Sequence, residues 1–264
     1  MKIHPTAVIA ESASIAEGVE IGPYSVIEED VAIGQNCRIG PHAYICNGTT
    51  IGPDCHIHKG AVLGDAPQDT AYKGERTYLK IGERNTFREY TTIHRGTKKD
   101  SATVIGNDNY FMAFAHVAHN CQIGNNVTMC NYSFFGGYVV VEDKAFISAR
   151  CGVQQFTRIG RLSFLAGGVR LTKDLPPFMM AGDDNTVSTF NLVGLKRAGL
   201  DLKVRSGIKE AYRCVYRSGL NLSHALDEID KTEKTEEVSH FVDFIRSSER
   251  GVCFAHSNRT ISAN

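Results

Sequence analysis

The stretch IHPTAVIAESASIAEGVEIGPYSVIEEDVAIG, residues 3–34, decides the fold. Isoleucine recurs every sixth residue in it, at Ile3, Ile9, Ile15, Ile21, Ile27 and Ile33. The count continues through Ile39, Ile45, Ile51, Ile57 and Leu63. It resumes at Ile81, Phe87 and Ile93, and again at Ile105, whence it runs through Val117 and Phe135 to Leu171. No polar residue interrupts any of the three runs. An α-helix and a hairpin meander both have other spacings, so neither produces this period. Six-residue repetition predicts a parallel β-helix. Each unit is one flat side of a coil, and its large apolar residue points to the axis and stacks on its equivalents in the next coils.

Neighbouring positions fit the same lattice. Glycine often follows the apolar residue, as at Gly22, Gly34, Gly40, Gly52, Gly64, Gly82, Gly106, Gly124 and Gly160. We expect a corner there, where a Cβ is costly. Two residues before it the side chain is small: Ala43, Ala61, Ala115, Ser133 and Ala145. Cys37, Cys55, Cys121 and Cys151 share that slot, where a thiol serves as a compact hydrophobe. The other cysteines form no CxxC pair, and all eight read as reduced structural thiols. One large aliphatic per six residues makes a thin core, so further burial from subunit contacts is expected.

The bulk properties narrow the function. Lys plus Arg and Asp plus Glu each number 29, giving zero net charge, which argues against nucleic acid as a partner. No charged-then-apolar leader follows Met1 and no apolar run could span a bilayer, so we expect a soluble, cytoplasmic protein without membrane insertion.

Three segments break the period, and function tends to lie in what a rigid scaffold holds out. They are GDAPQDTAYKGERTYLK (64–80), GTKKDSAT (96–103) and KDLPPFMMAGDDNT (173–186), where Pro176 and Pro177 should stop strand pairing. We therefore expect a β-helix over 1–187 with excursion loops at 64–80 and 96–103, and an α-helical domain over 188–264 ending in a polar, frayed tail. Val204, Ile208, Ala211, Tyr212, Val215 and Tyr216 mark one helix face. Ser223 can cap a second helix through Ile229, and Val238, Phe241, Val242 and Ile245 mark a third. Lys196, Arg197, Lys203, Arg205, Lys209, Arg213 and Arg217 face only Asp201 and Glu210, which reads as a solvated face or as a dock for an acidic partner.

Within NYFMAFAHVAHNCQIG (109–124), His116 precedes the inward Val117 and His119 follows it by two; His94 follows the inward Ile93. All three imidazoles should lie outside the coil wall, near corners of neighbouring coils. No Ser or Cys nucleophile stands beside a base. Zinc between subunits is a second possibility, but the spacing of His116 and His119 differs from that of the γ-class carbonic anhydrases. General-base catalysis by a neutral imidazole remains.

IGERNTFREYTTIHRGT (81–97), AHVAHNC (115–121), QQF (154–156), DLPPF (174–178) and GLKRAGL (194–200) together resemble the UDP-N-acetylglucosamine O-acyltransferase family of hexapeptide-repeat acyltransferases, over nearly the whole chain. The resemblance implies a homotrimer of left-handed parallel β-helices with active sites between subunits. It implies transfer of a 3-hydroxyacyl chain from acyl carrier protein to the 3-position of UDP-N-acetylglucosamine, the first step of lipid A biosynthesis. No metal or resident cofactor is implied, since the acyl donor rides on the phosphopantetheine of acyl carrier protein. Carried over by residue, His119 is the general base and the Gly137 N–H the oxyanion donor. Gln68 and Asp69 hold the sugar, while His94, His116, Gln155, Asn191 and Arg197 contact substrate. The basic helices meet acyl carrier protein. Gly167 limits acyl length, and a glycine there predicts a longer chain.

Six positions depart from the family pattern. Asn120 stands where many members have Asp, Ala71 for a basic residue, and Tyr138 and Gln154 for two histidines. Val193 replaces an acidic residue and Ala198 the second of two arginines. The base and oxyanion positions survive, whereas the sugar-nucleotide contacts change. Two alternatives therefore stand: a paralogous enzyme acylating a 3-amino sugar nucleotide, and a non-catalytic trimeric solenoid scaffold.

Overall fold

The computed structural model describes residues 2–255; the tail expected to fray falls mostly at 256–264, outside the described residues. Three parallel sheets form a prism. Face A begins with strand Lys2–Ile3, face B with Val8–Ile9 and face C with Ser14–Ile15. The chain steps A, B, C and returns one coil higher, in register: Ile3 pairs Ile21, Ile9 pairs Ile27 and Ile15 pairs Ile33. The six-residue positions point inward, and Ile45, Ile57, Leu63, Phe87, Ile93, Phe111, Val117 and Phe135 are fully buried. Only the first coil lacks a neighbour below, which leaves Ile3 exposed.

A Cβ is costly at the corner glycines, as expected, and the cost comes from the neighbouring coil. Gly34 and Gly124 do not have positive φ. A Cβ on Gly34 would lie 2.6 Å from the Pro53 nitrogen of the coil above, so close approach between coils is what excludes a side chain. The left-handed residue comes two positions later, at Asn36 (φ 58°) and Asn126 (56°). The small slot also does more than fill space. Cys37, Cys121 and Cys151 donate to carbonyls of the next coil at 3.1 Å, as the Ser25 and Ser133 hydroxyls do at 2.8 and 2.7 Å. Burial pushes the Cys121 thiol up to about 12, so it stays protonated.

Both excursions leave the same corner. The first joins strand Val62–Asp65 on face B to Tyr78–Ile81 on face C, and the second joins Thr92–His94 on B to Ala102–Ile105 on C. Pro176 and Pro177 do not end strand pairing. Met180 and Ala181 still pair with Phe164 and Leu165 on face A, and strand Met179–Asp183 then folds back antiparallel on Thr186–Phe190. The prolines fall in the turn before the strand, where no ladder N–H is needed. Residues 187 and 188 lie inside the second of these strands. Among the described residues four helices follow: α1 (Leu192–Arg197), α2 (Leu202–Arg217), α3 (Leu222–Asp230) and α4 (Glu236–Arg246). Ile208, Ala211, Tyr212 and Tyr216 form the buried stripe of α2. Asn221, not Ser223, caps α3, its side chain accepting from the His224 N–H at 2.9 Å. The described residues end with strand Phe254–Ala255, which pairs beside Thr186–Val187. Among the described residues no helix is long and apolar enough to cross a membrane.

Candidate active site

The excursions wrap the B/C corner, and His119 sits beneath them. Its side chain is 11% exposed although it lies outside the coil wall. The sequence reading placed the imidazoles on the wall's outer side without foreseeing this cover. His119 Nδ1 is 3.1 Å from the Asn120 Oδ1. The same oxygen accepts from the Thr97 N–H at 2.9 Å, and the Asn120 N–H donates to the Thr103 hydroxyl at 2.8 Å. A backbone N–H can only donate, so the atom facing Thr97 must be the amide oxygen, and His119 must carry its proton on Nδ1. Nε2 is left with a lone pair. It lies 3.7 Å from Asp69 Oδ2 in the first excursion. The Ala71 N–H, 2.9 Å from Asp69 Oδ1, and then His119 hold that carboxyl below the ordinary range.

Gly137 lies one coil above His119. A Cβ there would fall 2.5 Å from His119 Cε1 and 2.6 Å from Nε2, so only glycine lets the backbone approach the imidazole. Its N–H has no acceptor among the described residues. Gln155 follows a coil higher on the same corner and is exposed, as is Gln68 in the first excursion. Tyr138 stands edge-on to His119, with ring centroids 5.4 Å apart, and Phe156 stacks on Tyr138 at 5.0 Å.

His94 and His116 form the floor toward face B, edge to face at 4.8 Å. His116 Nδ1 meets the Thr92 hydroxyl at 2.7 Å, while His94 is 5% exposed and its Nδ1 has no partner among the described residues. Burial first, and then His94, drives the His116 imidazole down to about 4; burial also lowers His94, against the pull of Asp65. Both rings are neutral at pH 7. Arg95, which the sequence reading did not single out, donates to the Asn47 carbonyl at 3.2 Å and to the Tyr72 hydroxyl at 3.1 Å. It ties the first excursion to the wall. Among the described residues no three His, Cys, Asp or Glu side chains converge as metal ligands. His116 and His119 are directed to different partners, Thr92 and Asn120.

Asn191 and Arg197 are not part of this cluster. They line a groove of about 650 Å³ on face A at the C/A corner, with Lys144, Phe146, Phe164 and Val193. Both ends of the Asn191 amide are already engaged: its nitrogen donates to the Leu162 carbonyl and its oxygen caps α1 at Gly194, each at 2.9 Å. Ala198, the other altered position of that segment, lines the same groove. Gly167 lies at the A/B corner, where a Cβ would meet only the Ala149 carbonyl, at 3.5 Å.

Comparison with known proteins agrees with this architecture. Residues 174–253 match the family model for UDP-N-acetylglucosamine O-acyltransferase, domain 2, and residues 30–65 and 102–137 match the bacterial transferase hexapeptide model. The chain is 46% identical over 253 residues to the acyl-[acyl-carrier-protein]–UDP-N-acetylglucosamine O-acyltransferase of Stenotrophomonas maltophilia, covering 94% of this chain and 96% of that one. It is 45% identical to the Paraburkholderia phymatum protein of the same name, covering 95% and 98%. The solved structure of the UDP-N-acetylglucosamine acyltransferase from Bacteroides fragilis superposes with a TM-score of 0.92 at 41% identity, covering 94% of this chain and 98% of that one. The Arabidopsis enzyme does so at 0.85 and 32%, covering 95% and 99%.

Proposed function

The chain belongs to the UDP-N-acetylglucosamine O-acyltransferase family, and on that premise we propose how its residues carry out the transfer. The enzyme moves an acyl group from acyl carrier protein to UDP-N-acetylglucosamine, the first step of lipid A biosynthesis. The acyl group in our reading is a 3-hydroxyacyl chain, the acceptor is the sugar 3-hydroxyl, and the reaction takes place in the cytoplasm.

His119 Nε2 takes the hydroxyl proton as the sugar oxygen attacks the thioester carbon. The carbonyl oxygen gains the negative charge and receives the free N–H of Gly137; such a donor contributes roughly 3 kcal/mol to lowering the barrier. Collapse of the tetrahedral intermediate forms the ester and breaks the carbon–sulfur bond. The departing thiolate takes the proton back from His119. Asp69 faces the imidazolium while it exists, and Gln68 and Asp69 hold the sugar. The observation that carries this reading is the shared Asn120 oxygen, which fixes the proton of His119 on Nδ1 and leaves Nε2 basic. The exposed lysines and arginines of α2 are the surface we assign to acyl carrier protein.

The site needs more than one copy. His119, Gly137 and Gln155 stand at the B/C corner, and Arg197 and Asn191 at the C/A corner, so the full width of face C separates them. A closed three-fold ring that sets face B of one copy against face A of the next brings the two corners together. His119→Ala should lower kcat by roughly 10²–10⁴-fold and leave the assembly's mass unchanged. Wild-type turnover in that variant would remove His119 from the mechanism.

A further inference from the structure

The last described residues fold back onto the corner that carries His119. Gly251 takes the left-handed backbone (φ 72°), and the turn it allows sets Val252 beside Asp174. The Asp174 N–H donates to the Gly251 carbonyl at 3.0 Å and the Cys253 N–H to the Asp174 carbonyl at 2.8 Å. This lays Arg250 over the B/C corner. Its Nε donates to the Thr172 carbonyl at 3.0 Å and one terminal nitrogen to Gln154 Oε1 at 3.1 Å. Lys173 Nζ donates to the Arg250 carbonyl at 3.2 Å and lies 5.3 Å from the centre of the Phe254 ring. His119, Gly137 and Gln155 climb this corner one coil at a time, and Gln154 immediately precedes Gln155. The two cations therefore stand above the base, where Gln154, Gln155 and Phe156 are exposed.

Neither charge is neutralised. Among the described residues Arg250 and Lys173 belong to no ion pair, whereas Arg170 of the same coil has Asp184 at 2.6 Å. Asp174, next to Lys173, is buried, and its carboxylate accepts from the Arg158 N–H and the Ser248 hydroxyl, each at 2.8 Å. The acceptors that Arg250 and Lys173 do reach are neutral, two carbonyls and an amide oxygen. A guanidinium carries five N–H groups in a planar fork, and the second terminal nitrogen of Arg250 has no partner among the described residues. Arginine can only donate, so Gln154 meets it through oxygen and keeps its NH2 as a further donor. Two fixed cations with donors to spare suit a phosphate group. Which phosphate follows from the reading that His119 takes the proton of the sugar 3-hydroxyl, on which this inference rests. The diphosphate hangs from carbon 1, across the sugar ring from that hydroxyl. Adjacent coils are about 4.8 Å apart, which puts Gln154 roughly 10 Å up the corner from His119, a span that one ring and its phosphate linkage bridge. We propose that Arg250 and Lys173 bind the diphosphate of the sugar nucleotide, with Gln154, oriented by Arg250, as a third donor.

The test compares UDP with uridine as inhibitors of the full-length enzyme, beside KM for UDP-N-acetylglucosamine and for acylated carrier protein. The two inhibitors differ only in the diphosphate, so the ratio of their inhibition constants reads the anion contact and does not respond to a general loosening of the fold. Arg250→Gln should cut the preference for UDP by roughly tenfold or more and raise KM for UDP-N-acetylglucosamine by a similar factor, with KM for the carrier protein in place. Arg250→Lys should retain part of the preference. An unaltered preference in Arg250→Gln would overturn the proposal and leave the arginine as a brace for the segment around Gly251. A rise in KM for the carrier protein alone would overturn it too, and would assign the pair to the phosphate of the donor's pantetheine arm. Should Arg250→Gln not fold, Lys173→Gln, which spares the Arg250 bonds to Thr172 and Gln154, should cut the preference by roughly threefold or more, and an unmoved ratio there would overturn the proposal. The reading of the base fails separately, by wild-type turnover in His119→Ala.

Discussion

Asn120 decides which nitrogen of His119 carries the proton. Its oxygen is shared by a backbone N–H of the second excursion and by the imidazole, so the loop, the corner and the base are held through one atom. An alanine there would free the imidazole to take either tautomer and leave the buried Thr97 N–H without an acceptor. Asn120→Ala should therefore lower kcat by roughly tenfold or more with KM nearly unchanged, because the loss falls on the proton transfer and not on binding. A variant that loses affinity and keeps kcat would place Asn120 in the binding site instead. His116 supports a different test. Its folded imidazole titrates at about 4, against an ordinary 6.5. As pH falls from 6.5 toward 4 the unfolded chain takes up a proton here and the folded chain does not, so this group lowers stability progressively over that window. His116→Gln should flatten the decline of stability between pH 6.5 and 4 by the contribution of one proton. Equal slopes for the two proteins would contradict the buried neutral imidazole. The sequence made His116 and His119 visible because they interrupt an apolar lattice. It hid Arg95, Thr97 and Thr103: the first two reach the site where an aperiodic loop leaves the lattice, and Thr103 on the strand to which it returns.

The coil is the unit in which this chain could be read before folding. A six-residue period fixes which residue faces inward, which slot must be small and where the corner falls, since every coil must repeat the geometry of the one below. The reason for the corner glycine was not legible, because it depends on the distance between coils and not on the local backbone. That distance yields a prediction. A methyl group on Gly34 would overlap the Pro53 backbone, which has no flexible end to yield. Gly34→Ala should destabilise the protein by about 1–3 kcal/mol and lower its melting temperature. An unchanged melting temperature would show that adjacent coils can part. The helices were legible where three-four spacing marks a buried stripe, as on α2. They were not where capping decides: Ser223 is a good cap by residue type, but Asn221 takes the position, extended and accepting from His224. The pairing beyond Pro177 was missed because proline forbids a ladder bond only at its own position.

At the scale of the whole molecule, face C separates two groups of residues on opposite edges. One edge carries the His119 cluster and the other the groove of Asn191 and Arg197, to which we assign substrate contact. No periodicity in the sequence reveals this, because it follows from which corner each coil has reached when a functional residue occurs. The most direct test mixes two inactive chains, one carrying His119→Ala and the other Arg197→Ala, by co-expression. In randomly mixed three-fold rings about a quarter of the B-to-A contacts pair the intact His119 edge of one chain with the intact Arg197 edge of the other. We predict recovery of about a quarter of wild-type activity, where either variant alone has almost none. A mixture no more active than its parents would contradict a site shared between copies.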